Sequence, residues 1–108
     1  MKVELTELRW LSDYDDCSLA ELAVQSGLSA DELQQLIESG ALTPTGQRSS
    51  QPSFRAEYVV IAVSARRLRD DFELDAQGLA VATSLLRRIQ ELEAQLDRFR
   101  ALLPRAPR

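Results

Sequence analysis

The chain contains no histidine and a single cysteine, Cys17, and each scarcity removes a class of chemistry. Without histidine there is no Ser-His-Asp or Cys-His nucleophile system and no His-containing zinc site; one cysteine cannot form an intramolecular disulfide. The four glycines, at 27, 40, 46 and 78, are too scattered to cradle a phosphate, and no GxGxxG, GxxxxGK[ST] or DxDxDG pattern occurs. Long apolar runs are missing too, since nothing approaches the ~20 residues that cross a bilayer. The start, Met1-Lys2-Val3-Glu4, places acid where a signal peptide is basic and then apolar. These absences predict a protein that is not an enzyme, uses no catalytic residue, metal or cofactor, stays out of the membrane and works in the cytoplasm.

What is present is the composition of a small folded protein: 108 residues, 44% hydrophobic and 28% charged. The net charge of −4 hides an asymmetry. Residues 1–47 carry nine acids against Lys2 and Arg9, a net −7, whereas residues 48–108 carry eleven arginines against eight acids, a net +3. The two halves are expected to meet different partners, or each other.

Ser18-Leu19-Ala20-Glu21 and Ser29-Ala30-Asp31-Glu32 each set a hydroxyl three residues before a glutamate, the spacing of a capping box. Leu19, Leu22 and Ala23 give the first of the two helices an apolar stripe, and Leu33, Leu36 and Ile37 do so for the second. Gly27 and Gly40 fall just past these helices, where a left-handed residue lets the chain turn. The pattern is that of a helix-turn-helix. Ahead of it, Val3–Trp10 reads as extended, with Trp10 a core plug rather than a recognition residue. Cys17 lies at a helix start, which favours a thiolate, but Asp15 and Asp16 oppose that, so it reads as an inert small thiol.

Residues 43–55 hold Pro44, Gly46 and Pro52 and suit a loop or small hairpin. A third helix is expected over about Ala56–Asp71, with Tyr58, Ile61, Ala62, Ala65 and Leu68 inside and Arg66, Arg67 and Arg69 outside. Asp75 caps a last helix over about Ala76–Leu103, roughly 42 Å long at 1.5 Å per residue. Within it Ala82, Leu85, Ile89, Leu92, Leu96, Phe99 and Leu103 follow a 3-4-3-4 spacing, a heptad seam too long for a monomer of this size to bury. The seam predicts a homodimer. Pro104 and Pro107, set among arginines, end the helix. The expected division is a helix-turn-helix domain with a short wing over 1–74, a coiled-coil dimerisation helix over 75–103 and a disordered tail over 104–108.

This order, a winged helix-turn-helix followed by a third helix and a long dimerising helix, resembles MerR-type proteins. Gly27-Leu28-Ser29 through Gly40-Ala41-Leu42-Thr43-Pro44 looks like that family's helix-turn-helix and its exit into the wing; Phe54-Arg55 and Arg67–Leu74 fall at its wing end and helix-three end. The resemblance implies a mainly all-α, MerR-like fold and favours antiparallel dimer arms. One feature departs from the DNA-reading members. They carry arginine and tyrosines where this chain has Gln34-Gln35-Leu36-Ile37-Glu38, and the expected solvent face is Asp31, Gln34, Gln35 and Glu38. DNA binding starts with phosphate neutralisation, which an acidic face opposes, and only Arg48 and Arg55 of the wing lie nearby to supply it.

A MerR-like frame without that chemistry is similar to the CbpM family of chaperone modulators. The similarity is carried by Arg66-Arg67-Leu68-Arg69-Asp70-Asp71-Phe72-Glu73-Leu74-Asp75, then Gly78–Ala82, Leu85-Leu86 and Ile89–Glu93. It implies binding to the J domain of the DnaJ-like co-chaperone CbpA, inhibition of that domain's stimulation of the DnaK ATPase, and restraint of CbpA's DNA binding. J domains present a basic helix to DnaK, so Asp31, Gln34, Gln35 and Glu38 are the expected partner-binding residues, and Leu85, Ile89, Leu92, Leu96, Phe99 and Leu103 the dimerisation residues. Direct DNA binding is not expected. The alternative reading is a MerR-type DNA-binding transcription regulator that uses the wing arginines.

Overall fold

The computed structural model describes residues 16–48 and 50–104. The extended lead-in expected over Val3–Trp10, the role of Trp10 and the tail at 105–108 lie outside them. In chain order the elements are β1 (Cys17–Ser18), α1 (Leu19–Ser26), α2 (Ala30–Glu38), β2 (Gly46–Arg48), β3 (Gln51–Phe54), α3 (Glu57–Phe72) and α4 (Ala76–Leu102). The fold is mainly α, as expected.

Both capping boxes form. Ser18 Oγ accepts from Glu21 N and Glu21 Oε1 from Ser18 N; Ser29 Oγ and Glu32 Oε1 repeat the exchange at α2. α1 ends on Gly27 at φ 88°, and α2 ends with Gly40 at φ 84° while Leu42 N donates back to Leu36 O. Helix-favouring stripes and these stops give two short helices joined by a tight turn.

The wing is a hairpin of β2 and β3, turning through Ser50 at φ 65°, with Arg48 opposite Gln51 and Gly46 opposite Ser53. β1 adds a third antiparallel strand on the other side of β3, which sequence reading missed. Two residues carry no recognisable strand pattern, and Ser18 doubles as the α1 cap. Pro52 is tolerated in the central strand because β1 pairs only with Ser53 and Phe54.

The core gathers Leu22, Leu28, Leu33, Leu36, Leu42, Phe54, Val59, Ala62, Ala65 and Leu79, drawn from every helix and the wing. Each fully buried leucine contributes roughly 1.5–3 kcal/mol over an exposed one. Phe54 and Tyr58 stack in a tilted pair at 6.0 Å, tying wing to α3. α4 packs on α3 through its first turns: Leu79 and Thr83 are buried and Leu86 half-buried. Thr83 Oγ1 donates to Leu79 O, so the buried hydroxyl is satisfied. Beyond Leu86 the helix leaves the domain, which explains a longest dimension of 52 Å.

Candidate partner-binding surface

α2 buries Leu33 and Leu36 and half-buries Ile37, which turns Asp31, Gln34, Gln35 and Glu38 to solvent together. All four expected residues are exposed on one side of the helix-turn-helix. Among the described residues, neither Asp31 nor Glu38 forms an ion pair or a side-chain hydrogen bond.

Glu32 belongs to a different device. Its Oε1 caps Ser29 N at 2.9 Å, and Arg69 Nη1 donates to both of its oxygens at 2.6 and 2.7 Å. Arg69 also reaches Asp70, which in turn accepts from Arg66 Nη1 at 2.9 Å. Arg66 Nε then donates to Ser26 O at 3.1 Å, satisfying a carbonyl at the end of α1. Two arginines one turn apart on α3 thus hold the C-terminus of α1 and the N-terminus of α2, the two sides of the turn. Partial burial raises the Glu32 pKa, but the bonds donated by Ser29 and Arg69 outweigh it and hold the group below its ordinary value. The Asp70 carboxyl is lowered by bonds from Arg66, then Arg69, and the Arg69 guanidinium is raised by its bond to Glu32.

This arrangement corrects one expectation. Arg66 and Arg69 are not outward-facing: both are half-buried against the turn, and only Arg67 of the three is exposed. An inward arginine gives no local sequence signal, because its partners lie 37 and 40 residues away. In the wing, Arg55 is exposed and 3.9 Å from Glu57. Among the described residues, Arg55, Arg66 and Arg69 are thus paired, while Asp31 and Glu38 are not.

The second apolar surface runs along α4. Leu85, Ile89, Leu92, Leu96, Phe99 and Leu103 are each 46–58% exposed, on a side of the helix separate from the buried Leu79, Thr83 and Leu86. Val81, at 60% exposure, extends the row toward the domain, a member that the sequence reading assigned instead to Ala82. On the domain side, Arg87 donates to Thr43 Oγ1 at 3.3 Å and, within α4, lies 3.9 Å from Glu91. Among the described residues no group of three His, Cys, Asp or Glu side chains could hold a metal ion, and no helix is long and apolar enough to cross a membrane.

A helix-turn-helix with a strand-built wing, a third helix behind it and a long projecting helix defines a class. The family model described as "MerR HTH family regulatory protein" matches residues 17–101, and the chain belongs to that family. Within it, the chain is similar to the Chaperone modulatory protein CbpM of Pseudomonas putida (strain W619), at 26% identity over 84 residues, 78% of this chain and 83% of that protein. The protein of the same name from Escherichia coli O1:K1 / APEC is 27% identical over 88 residues, covering 82% of this chain and 87% of the relative. These relatives bear out the resemblance to the CbpM family.

Proposed function

We propose that this protein is a non-catalytic chaperone modulator that binds the J domain of a CbpA-type co-chaperone through the outward face of α2. The relatives named chaperone modulatory protein support the modulating role. The observation that carries the finer reading is the acidic face of Asp31 and Glu38, flanked by Gln34 and Gln35 and without an ion pair among the described residues, in a frame where Arg66 and Arg69 are held in internal bonds. That surface repels a phosphate backbone and attracts a basic helix. Covering the J domain's basic helix prevents it from engaging DnaK and from stimulating the ATPase, and a bound modulator restrains the co-chaperone's DNA binding. In this reading residues 1–74 form the binding domain, the exposed row on α4 pairs two chains over residues 75–103, and the site of action is the cytoplasm with its partner.

Calorimetric titration with the J domain of the same organism's CbpA-type protein tests this. Binding near one J domain per chain, weakening as salt rises, is expected. Asp31→Lys with Glu38→Lys should weaken it by about tenfold or more, because like charge then faces like. Unchanged affinity in the double variant removes the α2 face from the mechanism. Absence of binding, together with a salt-sensitive gel shift of the upstream DNA, selects the transcription-regulator reading instead.

A further inference from the structure

Resting on the α2 reading above, we infer that Arg69 is a positioning residue for partner binding, acting through Glu32 to hold Asp31 where the J domain meets it. Arg69 is no part of the acidic face itself: its side chain is 24% exposed and ends on Glu32.

The two ends of α2 are held by different means. Leu33 and Leu36 are buried and Ile37 half-buried, so the middle and the C-terminal end are anchored in the core. Just beyond Glu38, Ser39 Oγ adds a bond to Leu36 O at 3.1 Å. The first turn has no such anchor. Ala30 and Asp31 are exposed and Glu32 is half-buried, so no apolar side chain of that turn reaches the core. A helix end that packing does not hold frays unless its polar groups are tied down. Here the ties are the exchange between Ser29 and Glu32 and the bonds from Arg69 Nη1 to both Glu32 oxygens. The capping box is internal to the start of α2, whereas the Arg69 bonds fix that start to another helix.

α3 is a firm base for this task. It is a 16-residue helix whose Val59, Ala62 and Ala65 are buried. Asp70 accepts from Arg69 Nε at 3.0 Å, and because the guanidinium is a rigid plane this aims its far edge at Glu32. Asp31 adjoins Glu32, and Glu38 follows two turns later, about 10 Å along the axis. A basic helix that bridges both charges gains most when the Asp31 end is already in place.

Charge and position predict opposite signs for the loss of Arg69. Removing this cation leaves the Glu32 carboxylate without it, so charge alone tightens binding to a basic partner. Positioning predicts weaker binding. An arginine that only stabilises the fold predicts unchanged affinity wherever the chain remains folded.

Calorimetric titration of Arg69→Gln with the J domain of the same organism's CbpA-type protein tests this, with near-UV circular dichroism reporting the folded domain. Binding should weaken by about fivefold. Amide exchange should quicken at Leu33, which donates to Ser29 O at the start of α2, more than at Leu42, which donates to Leu36 O beyond its end. The loss should run through Asp31. In Asp31→Asn chains, adding Arg69→Gln should cost no further affinity; in Glu38→Gln chains it should cost the same factor. Equal losses on the two backgrounds, or unchanged or tighter binding by folded Arg69→Gln, overturn the inference. The α2 reading survives that outcome if Asp31→Asn alone weakens binding. If the unaltered chain binds no J domain, or neither Asp31→Asn nor Glu38→Gln weakens it, the α2 reading falls and this inference with it. Should Arg69→Gln unfold, Arg69→Lys carries the test. It keeps the charge but gives up the Nε bond to Asp70, and should weaken binding about twofold only where Asp31 is present. Full affinity in that variant overturns the inference.

Discussion

Glu32 serves two donors at once, the backbone N–H that begins α2 and the guanidinium that braces it from α3. Both interactions need the ionised carboxylate, and Asp70 depends on its charge in the same way. Their folded pKa values lie below the ordinary ones, so in acid the unfolded chain takes up protons first. Stability from this network is therefore complete above the ordinary carboxylate range and is lost as pH falls through and below it. Urea midpoints measured from pH 7 down to pH 3 should hold steady and then drop, and Glu32→Gln should start lower and show a shallower drop. Gly27 sits under the same brace. A Cβ there would stand 2.7 Å from Arg66 Cδ, on a backbone at φ 88° that side chains rarely adopt. Gly27→Ala should cost about 1–3 kcal/mol in chemical denaturation, since either the turn or the Arg66 bond to Ser26 must give.

At the scale of elements, what could be read from the sequence was what is local. Ser18, Ser29 and Asp75 cap their helices as their spacing predicts, because a capping hydroxyl or carboxylate meets donors two or three residues away. Gly27 and Gly40 stop helices for an equally local reason. The acidic face of α2 was legible because Leu33 and Leu36 fix which side is buried. The brace was not legible, since the Arg66–Asp70 run, the stretch most like the CbpM family, looks like an ordinary solvated helix face until the fold brings Ser26 and Glu32 to it. β1 was missed for a similar reason: it exists only because β3 lies beside it. The α4 row, by contrast, announced itself by period alone. Leu92→Glu with Leu96→Glu should give monomers by light scattering where the paired-arm proposal expects the unaltered chain to be a dimer, with the near-UV circular dichroism of the folded domain retained, because both side chains sit away from the core.

At the scale of the molecule, the proposed binding surface lies on the domain and the exposed apolar row on the arm. The domain carries an acid surface held in shape by internal ion pairs, and the arm extends a continuous 27-residue helix away from it. Short strands, two capped helices and one brace suffice to hold α2 because Leu79, Thr83 and Leu86 tie the arm's root into the same core. Just beyond that root, Arg87 meets Thr43 at the exit from the helix-turn-helix.

An unbroken helix is also a ruler. At 1.5 Å per residue the arm measures about 40 Å, with no glycine or proline beyond Gly78 to bend it before Pro104. Two copies joined along it would hold their α2 faces at a fixed separation. Ligands tethered by a linker that spans that gap would gain avidity of roughly 10²–10⁴ over single binding, and ligands on a shorter tether would gain none. Under the proposed pairing, the rod would select partners by the distance between their sites as well as by their charge.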